Sequence, residues 1–232
     1  MRHSLYKYYD NREWADAFLN GNLRFRSLSY FRDYEDEQIR GDKNEGTSLF
    51  RPEGGLVLTN QTQGYTDTVP FSFNATVNQE DIFVFCLSRS FTAGLRNRFK
   101  AVACIEIFNT KAFCARVEAA ALLLGRATFP GKPVRTRVGQ PVEYYEETDN
   151  CTPRWALPDV IAVSKLKTFS WQNEYRLMFS LTDALGFQNA QYSLVRNGSS
   201  EHPKPAEHRH CDLETGNLRD FCRLHDFEVE KS

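Results

Sequence analysis

Gln172 and Glu174 stand two residues apart at the entry to the apolar alternation Tyr175–Phe179. If the strand already begins there, both side chains project from one face. A carboxylate fixed on such a strand can bind a ribose hydroxyl and stabilise an oxocarbenium-like centre, which is what breaking a glycosidic bond requires of it. The same Glu174 can also lie on the surface and pair with Arg176 or Lys167. Ser88 and Ser90, again two apart, close the apolar run Asp81–Leu87 and can hydrogen-bond a ligand from one face. Tyr6, Lys7 and Tyr8 open the chain, and Arg24 and Arg26 follow Gly21. Aromatic rings stack on a flat heterocycle and a guanidinium pairs with a pyrophosphate. An amphipathic pair of N-terminal strands would use the same residues for packing alone.

Three further groups of residues could carry chemistry. Arg32, Glu35, Asp36, Arg40, Asp42 and Glu45 crowd one segment, where carboxylates can hold a divalent metal for phosphodiester cleavage or form a solvated, self-paired loop. His208, His210, Cys211, Cys222 and His225 fit no regular zinc spacing, so no metal is expected. Arg89, Arg96, Arg98 and Lys100, interleaved with Phe91 and Phe99, can track a phosphate backbone, as can Lys132, Arg135 and Arg137. Either stretch can also be a solvated basic face.

The elements that must hold these groups follow from hydrophobic periodicity. Leu5–Tyr8 and Leu23–Leu28 read as strands. Asn11–Leu19 reads as a helix with Trp14, Ala15, Phe18 and Leu19 on one face, capped by Asp10 or Asn11 and stopped at Gly21. A short helix and then a loop are expected over Ser29–Gly46, and strands and turns over Gly54–Val77. Asp81–Leu87 and Ala101–Phe108 are the two strongest buried strands, and Lys111–Leu124 is a helix. Pro130–Tyr145 is a turn and then a strand, Thr168–Ser180 a loop entering a strand, and Asn217–Phe227 a helix. The mixture predicts an α+β fold with a mostly antiparallel core, in one domain over residues 1–232.

The 232 residues suffice for one sizeable domain, and 41% apolar with 25% charged residues describes a globular chain. A net charge of −1 excludes a globally basic nucleic-acid binder but not a local basic cleft. No apolar run approaches a membrane span, and the polar, aromatic start Met1–Trp14 does not read as a signal peptide. The expectation is a cytoplasmic protein with reduced thiols and no membrane contact.

Taken in order, these groups resemble those of ADP-ribosyltransferases. Leu5–Tyr8 followed by Trp14–Leu23 is similar to the opening of that superfamily. Ser88 and Ser90 resemble the serine motif of its toxin-type branch, and Phe169–Glu174 resembles the aromatic turn and Gln-x-Glu motif of the same branch. Asn173–Tyr175 is similar to the Asn-Glu-Tyr strand of the poly-ADP-ribose polymerase branch. The chain also resembles a bacterial family often found in defence loci, which opens with Tyr-Lys-Tyr and carries Glu-x-Arg on a late strand, here Glu174–Arg176. The likeness spans roughly residues 5–180. It departs from the superfamily where one branch has His and another Arg, since Lys7 or Tyr8 stands there.

The resemblance implies two small, mostly antiparallel sheets around an NAD cleft, with flanking helices. It casts Glu174, Gln172 and Tyr8 as catalytic. Tyr6, Lys7, Arg26, Ser88 and Ser90 would bind NAD, and Trp171, Phe169, Arg96 and Arg98 the acceptor. The implied activity is mono-ADP-ribosyl transfer, as the toxin of a defence or toxin–antitoxin pair. Its acceptor would be a nucleic-acid base, single-stranded RNA before a protein, and an antitoxin protein would be its partner. A metal-dependent nuclease and a binding module without chemistry are the competing expectations.

Overall fold

The computed structural model describes residues 3–33, 42–131, 138–149, 153–197 and 207–227. The chain begins with strand β1 (Leu5–Tyr9), helix α1 (Arg12–Leu19), strand β2 (Asn22–Ser27) and the single turn α2 (Leu28–Arg32). Four short strands follow: β3 (Thr47–Phe50), β4 (Leu56–Asn60), β5 (Tyr65–Val69) and β6 (Phe71–Thr76). Next come β7 (Ile82–Ser88), α3 (Ala93–Arg98), β8 (Ala103–Ile107) and α4 (Thr110–Leu122). The remainder comprises β9 (Gly139–Pro141), β10 (Glu143–Tyr145), α5 (Pro158–Ile161), β11 (Ser164–Leu166), β12 (Glu174–Ser180), β13 (Gln191–Arg196), β14 (His210–Glu214) and β15 (Cys222–Asp226).

Strand β7 organises the fold. Along one edge it pairs with β12 over its whole length, from Glu174 opposite Ser88 to Ser180 opposite Ile82. Along its other edge β2 takes the first half, with Arg26 opposite Val84, and β1 takes the end, with Tyr6 opposite Ser88. The two partners diverge and leave a fork between them. The Lys7 ammonium donates to the Cys86 carbonyl there, at 2.9 Å. β14 continues the sheet from β2, β8 and β15 continue it from β1, and β9 extends it beyond β12, giving eight strands. The smaller sheets are β13–β6–β3, β4–β5 and β10–β11, and among the described strands only the last pair is parallel.

Alternation along β7 and β12 gives the sheet two apolar faces. Phe83, Phe85, Leu87, Leu177 and Phe179 face α1 and α4, which contribute Ala15, Phe18, Phe113 and Val117. Ile82, Val84 and Met178 face the opposite layer, made of Leu28, Ala75, Val77 and Ile161–Val163. Among the described residues, no helix is long and apolar enough to cross a membrane.

The α+β, antiparallel expectation agrees with this architecture, but its layout differs in four places. In place of two small sheets, the described residues build one of eight strands and three small ones. The segment expected to form a helix over Asn217–Phe227 is instead β15, because β8 offers Ile107 through Ala103 an open edge that five residues of β15 satisfy. Trp14 is 55% exposed, since the stripe of α1 that meets the sheet is Ala15, Phe18 and Leu19 and Trp14 falls at its margin. Helix α3 was not anticipated. It is six residues long and starts where the Thr92 hydroxyl accepts from the Leu95 amide.

Candidate active site

Antiparallel register aligns three distant residues across β1, β7 and β12. Tyr6 is opposite Ser88, and Ser88 is opposite Glu174. Directly opposed residues share a face, so the three side chains leave the sheet on one side. The row before it on β7 pairs Cys86 with Arg176. The β7–β12 face thus changes over a few residues from apolar, at Val84 and Met178, to charged, at Arg176 and Glu174.

Arg176 has no exposed surface and is the largest fully buried side chain among the described residues. Its Nε donates to Glu174 Oε1 at 2.7 Å and its Nη2 to Glu45 Oε2 at 2.8 Å. Its Nη1 donates to Glu45 Oε1 and to the Ala162 carbonyl, the latter at 2.6 Å. Lys165, from β11, donates to Glu174 Oε2 at 2.9 Å and to Gln172 Oε1 at 3.0 Å, and lies 3.6 Å from Glu45. Two carboxylates therefore face two cations, all four almost wholly removed from water. Such burial is tolerable only with this degree of pairing.

Burial alone would push the Glu174 carboxyl up, but Arg176 and Lys165 outweigh it and hold the group well below the usual carboxylate range. Burial would likewise lower the Lys165 ammonium, and Glu174 and Glu45 instead hold it above its ordinary value. Asp42 lies at the margin of the quartet. Burial and then the nearby Glu45 push its carboxyl up to about 6, against the opposing pull of Lys165, the Asn44 amide and Arg176. Burial pushes the Cys86 thiol up to about 12.

The turn before β12 is tied to the end of β7. The Ser88 hydroxyl donates to the Gln172 carbonyl at 2.8 Å and accepts from the Ser90 amide at 3.1 Å. Asn173 takes a left-handed backbone conformation, φ 42°, and its side-chain amide donates to the Ser90 hydroxyl at 2.6 Å. Its carbonyl accepts from the Arg89 amide. Tyr144 accepts the Glu174 amide at 2.9 Å. Ser88, Ser90, Gln172 and Glu174, singled out from sequence, thus converge, with the two serines serving the turn that carries the other pair.

The remaining candidates are placed differently. Tyr8 is buried; its hydroxyl donates to the Ser90 carbonyl and accepts from the Thr92 amide, both at 3.1 Å. Burial pushes that phenol up to about 12. Its ring packs on Phe99 and Phe91. Lys7 alternates to the opposite face, over the Phe85 ring, so it does not share the face of Glu174. Arg26 lies over the Tyr30 ring, four β7 residues from the Tyr6–Ser88–Glu174 row, about 13 Å along the strand. Arg98 lies over Trp171, Arg96 over Phe227, and Phe169 beside Lys165. Sequence reasoning paired Glu174 with Arg176 or Lys167 at the surface. The partners are Arg176 and Lys165, buried, while exposed Lys167 pairs with Glu146. Lys165 has one signal in the sequence, a cation two residues after the apolar run Val160–Val163, and Lys167 nearby carries the same signal.

Two carboxylates of the metal-nuclease expectation are described: Glu45 pairs with Arg176, and Asp42 accepts from the Asn44 amide; neighbouring Asp33 pairs with Arg32 and His208. Glu35, Asp36 and Arg40 lie outside the described residues, as do Lys132, Arg135 and Arg137. No group of three or more His, Cys, Asp or Glu able to hold a metal occurs among the described residues. Of the C-terminal His and Cys residues, His210 and Cys211 lie on β14 and Cys222 and His225 on β15, on opposite margins of the main sheet, while His208 precedes β14.

Comparison with protein families, with curated proteins and with solved structures finds no match to the chain.

Proposed function

We propose that the chain is an NAD-dependent ADP-ribosyltransferase whose reacting centre is the Glu174 end of β12. The observation that carries this reading is the single row Tyr6–Ser88–Glu174 across β1, β7 and β12. Three sequence segments, each suited to one part of a bound dinucleotide, are brought side by side by register alone. Gln172 stands beside Glu174 on the same lysine.

In this reading the bond that breaks joins the nicotinamide nitrogen to ribose C1′. Nicotinamide leaves with the electron pair, and positive charge develops over C1′ and the ring oxygen. Glu174 accepts from a ribose hydroxyl and stabilises that charge. Both its oxygens are already bonded, but each keeps a second lone pair. Arg176 and Lys165 hold the carboxylate ionised and fixed in direction. The acceptor then attacks C1′ and releases its proton.

A second reading, a binding module without chemistry, is favoured by the same quartet. Its four charges sum to zero, which weakens any field that would stabilise a cation. Release of nicotinamide from NAD by the purified chain, with and without total RNA or cell lysate, separates the two. The transferase reading expects release that Glu174→Gln lowers by about 100-fold or more. Thermal melting of the variant verifies that it is folded. No release by the wild-type chain under any of these conditions overturns the reading in favour of the binding module.

A further inference from the structure

Beside the Tyr6–Ser88–Glu174 row the surface is aromatic and cationic. Phe91 is 46% exposed and stacks on Tyr6, with centroids 5.2 Å apart. His225 lies 4.8 Å from the Phe91 ring and Phe227 6.3 Å from it. Tyr8 and Phe99 link this group to Trp171, which is 5.7 Å from Phe99. Guanidinium groups cover two of the rings: Arg96 over Phe227 at 4.5 Å and Arg98 over Trp171 at 4.4 Å. From Ile82 to Ile105 the chain has no Asp or Glu and four cations, Arg89, Arg96, Arg98 and Lys100, although its net charge is −1. Glu106, the acid beyond this stretch, is engaged by His225 and Ser4.

We propose that this face binds single-stranded nucleic acid, with Phe91 as the platform on which an unpaired base stacks and the cations along Arg89–Lys100 as the track for the phosphates. Phe91 leaves about half of its surface to solvent beside two rings that arginines cover. An unpaired base offers two π faces to such a ring, and its phosphates match a segment with four cations and no acid. A duplex keeps its bases stacked on one another and cannot use the platform. As the acceptor of ADP-ribose, the strand rests on the transferase reading. As a bound ligand it does not, because binding is measured without NAD.

The test is fluorescence anisotropy of an unstructured, labelled RNA of about 12 nucleotides with the full chain, beside the same DNA sequence and an RNA duplex. Binding of the single strand is expected to weaken about 20-fold between about 50 and about 200 mM salt, as three contacted phosphates require. Phe91→Ala is expected to weaken it about tenfold, and Phe91→Trp to retain it. Arg98→Gln, at an exposed position, is expected to reduce the salt slope by about 0.7. Comparable binding of RNA and DNA supports the shared base-and-phosphate chemistry, and a preference for RNA adds the 2′-hydroxyl to it. The proposal is overturned by no binding at low salt, by equal binding of the duplex, or by equal binding of folded Phe91→Ala. A chain that binds RNA but releases no nicotinamide retains this inference and loses the transferase reading.

Discussion

Arg176 takes its meaning from what surrounds it. A guanidinium with no exposed surface is tolerable only because Glu45 takes two of its donors, Glu174 a third, and Ala162 shares one. Removing it leaves two buried carboxylates facing the single charge of Lys165. Arg176→Met is therefore expected to destabilise the chain by about 3–5 kcal/mol in urea unfolding. The double variant Arg176→Met with Glu45→Gln removes one charge of each sign. It is expected to cost less than the two single losses together, with a coupling of about 1 kcal/mol or more. Simple additivity of the two would mean that the pair is not energetically linked. Tyr8 illustrates the same logic without charge. Its hydroxyl both donates and accepts at the half-buried start of the Ser90–Thr92 turn, so Tyr8→Phe removes the protein partner of a carbonyl and of an amide.

At the scale of elements, the fork between β1 and β2 decides where the candidate site lies, because it lets both strands use one edge of β7. The helix between them must therefore turn back sharply, and it does so at Gly21, with φ +94°. A Cβ there would come 2.1 Å from the Gly216 carbonyl oxygen, while the Gly21 carbonyl accepts from the Thr215 amide and hydroxyl. Gly21→Ala is expected to cost more than about 1 kcal/mol, measured as a shift of the urea midpoint at unchanged slope. An unshifted midpoint would show that β14 adjusts without loss. The strongly apolar elements were legible: β7 and β8 as short β-branched and aromatic runs, β12 as the apolar run after Glu174, and α4 as a run of Ala and Leu. The edges were not. β14 and β15 present mostly polar side chains, and their hydrogen-bonding partners, β2 and β8, lie far away in sequence. A short strand held by a distant edge leaves little local pattern.

Over the whole molecule, charge is sorted rather than spread. The acid-free stretch Ile82–Ile105 carries a surface of cations, whereas Glu45, Lys165, Glu174 and Arg176 are drawn from three separate segments into the interior. The order of Tyr6, Ser88, Gln172 and Glu174 was legible because each lies in or beside an apolar run. Glu45 and Lys165 were not, since nothing local says that a glutamate in a charged segment meets an arginine 131 residues later. Their assembly makes stability depend on pH in two opposite ways. Glu174 has a lowered folded-state pKa, so its contribution is present above its unfolded value and is lost as pH falls through the acid range below about 4.3. Asp42 is raised to about 6, so the folded state holds its proton more tightly than the unfolded chain. Stability from this group therefore declines as pH rises from about 4 to about 6 and levels off above that, a loss of about 3 kcal/mol. Asp42→Asn keeps an oxygen for the Asn44 amide and removes the charge. In urea unfolding at a series of pH values, the variant is expected to match the wild type near pH 4 and to exceed it increasingly up to pH 6. A constant difference across that range would show that Asp42 keeps an ordinary acidity beside the quartet, with Lys165 and Arg176 cancelling both its burial and the repulsion of Glu45.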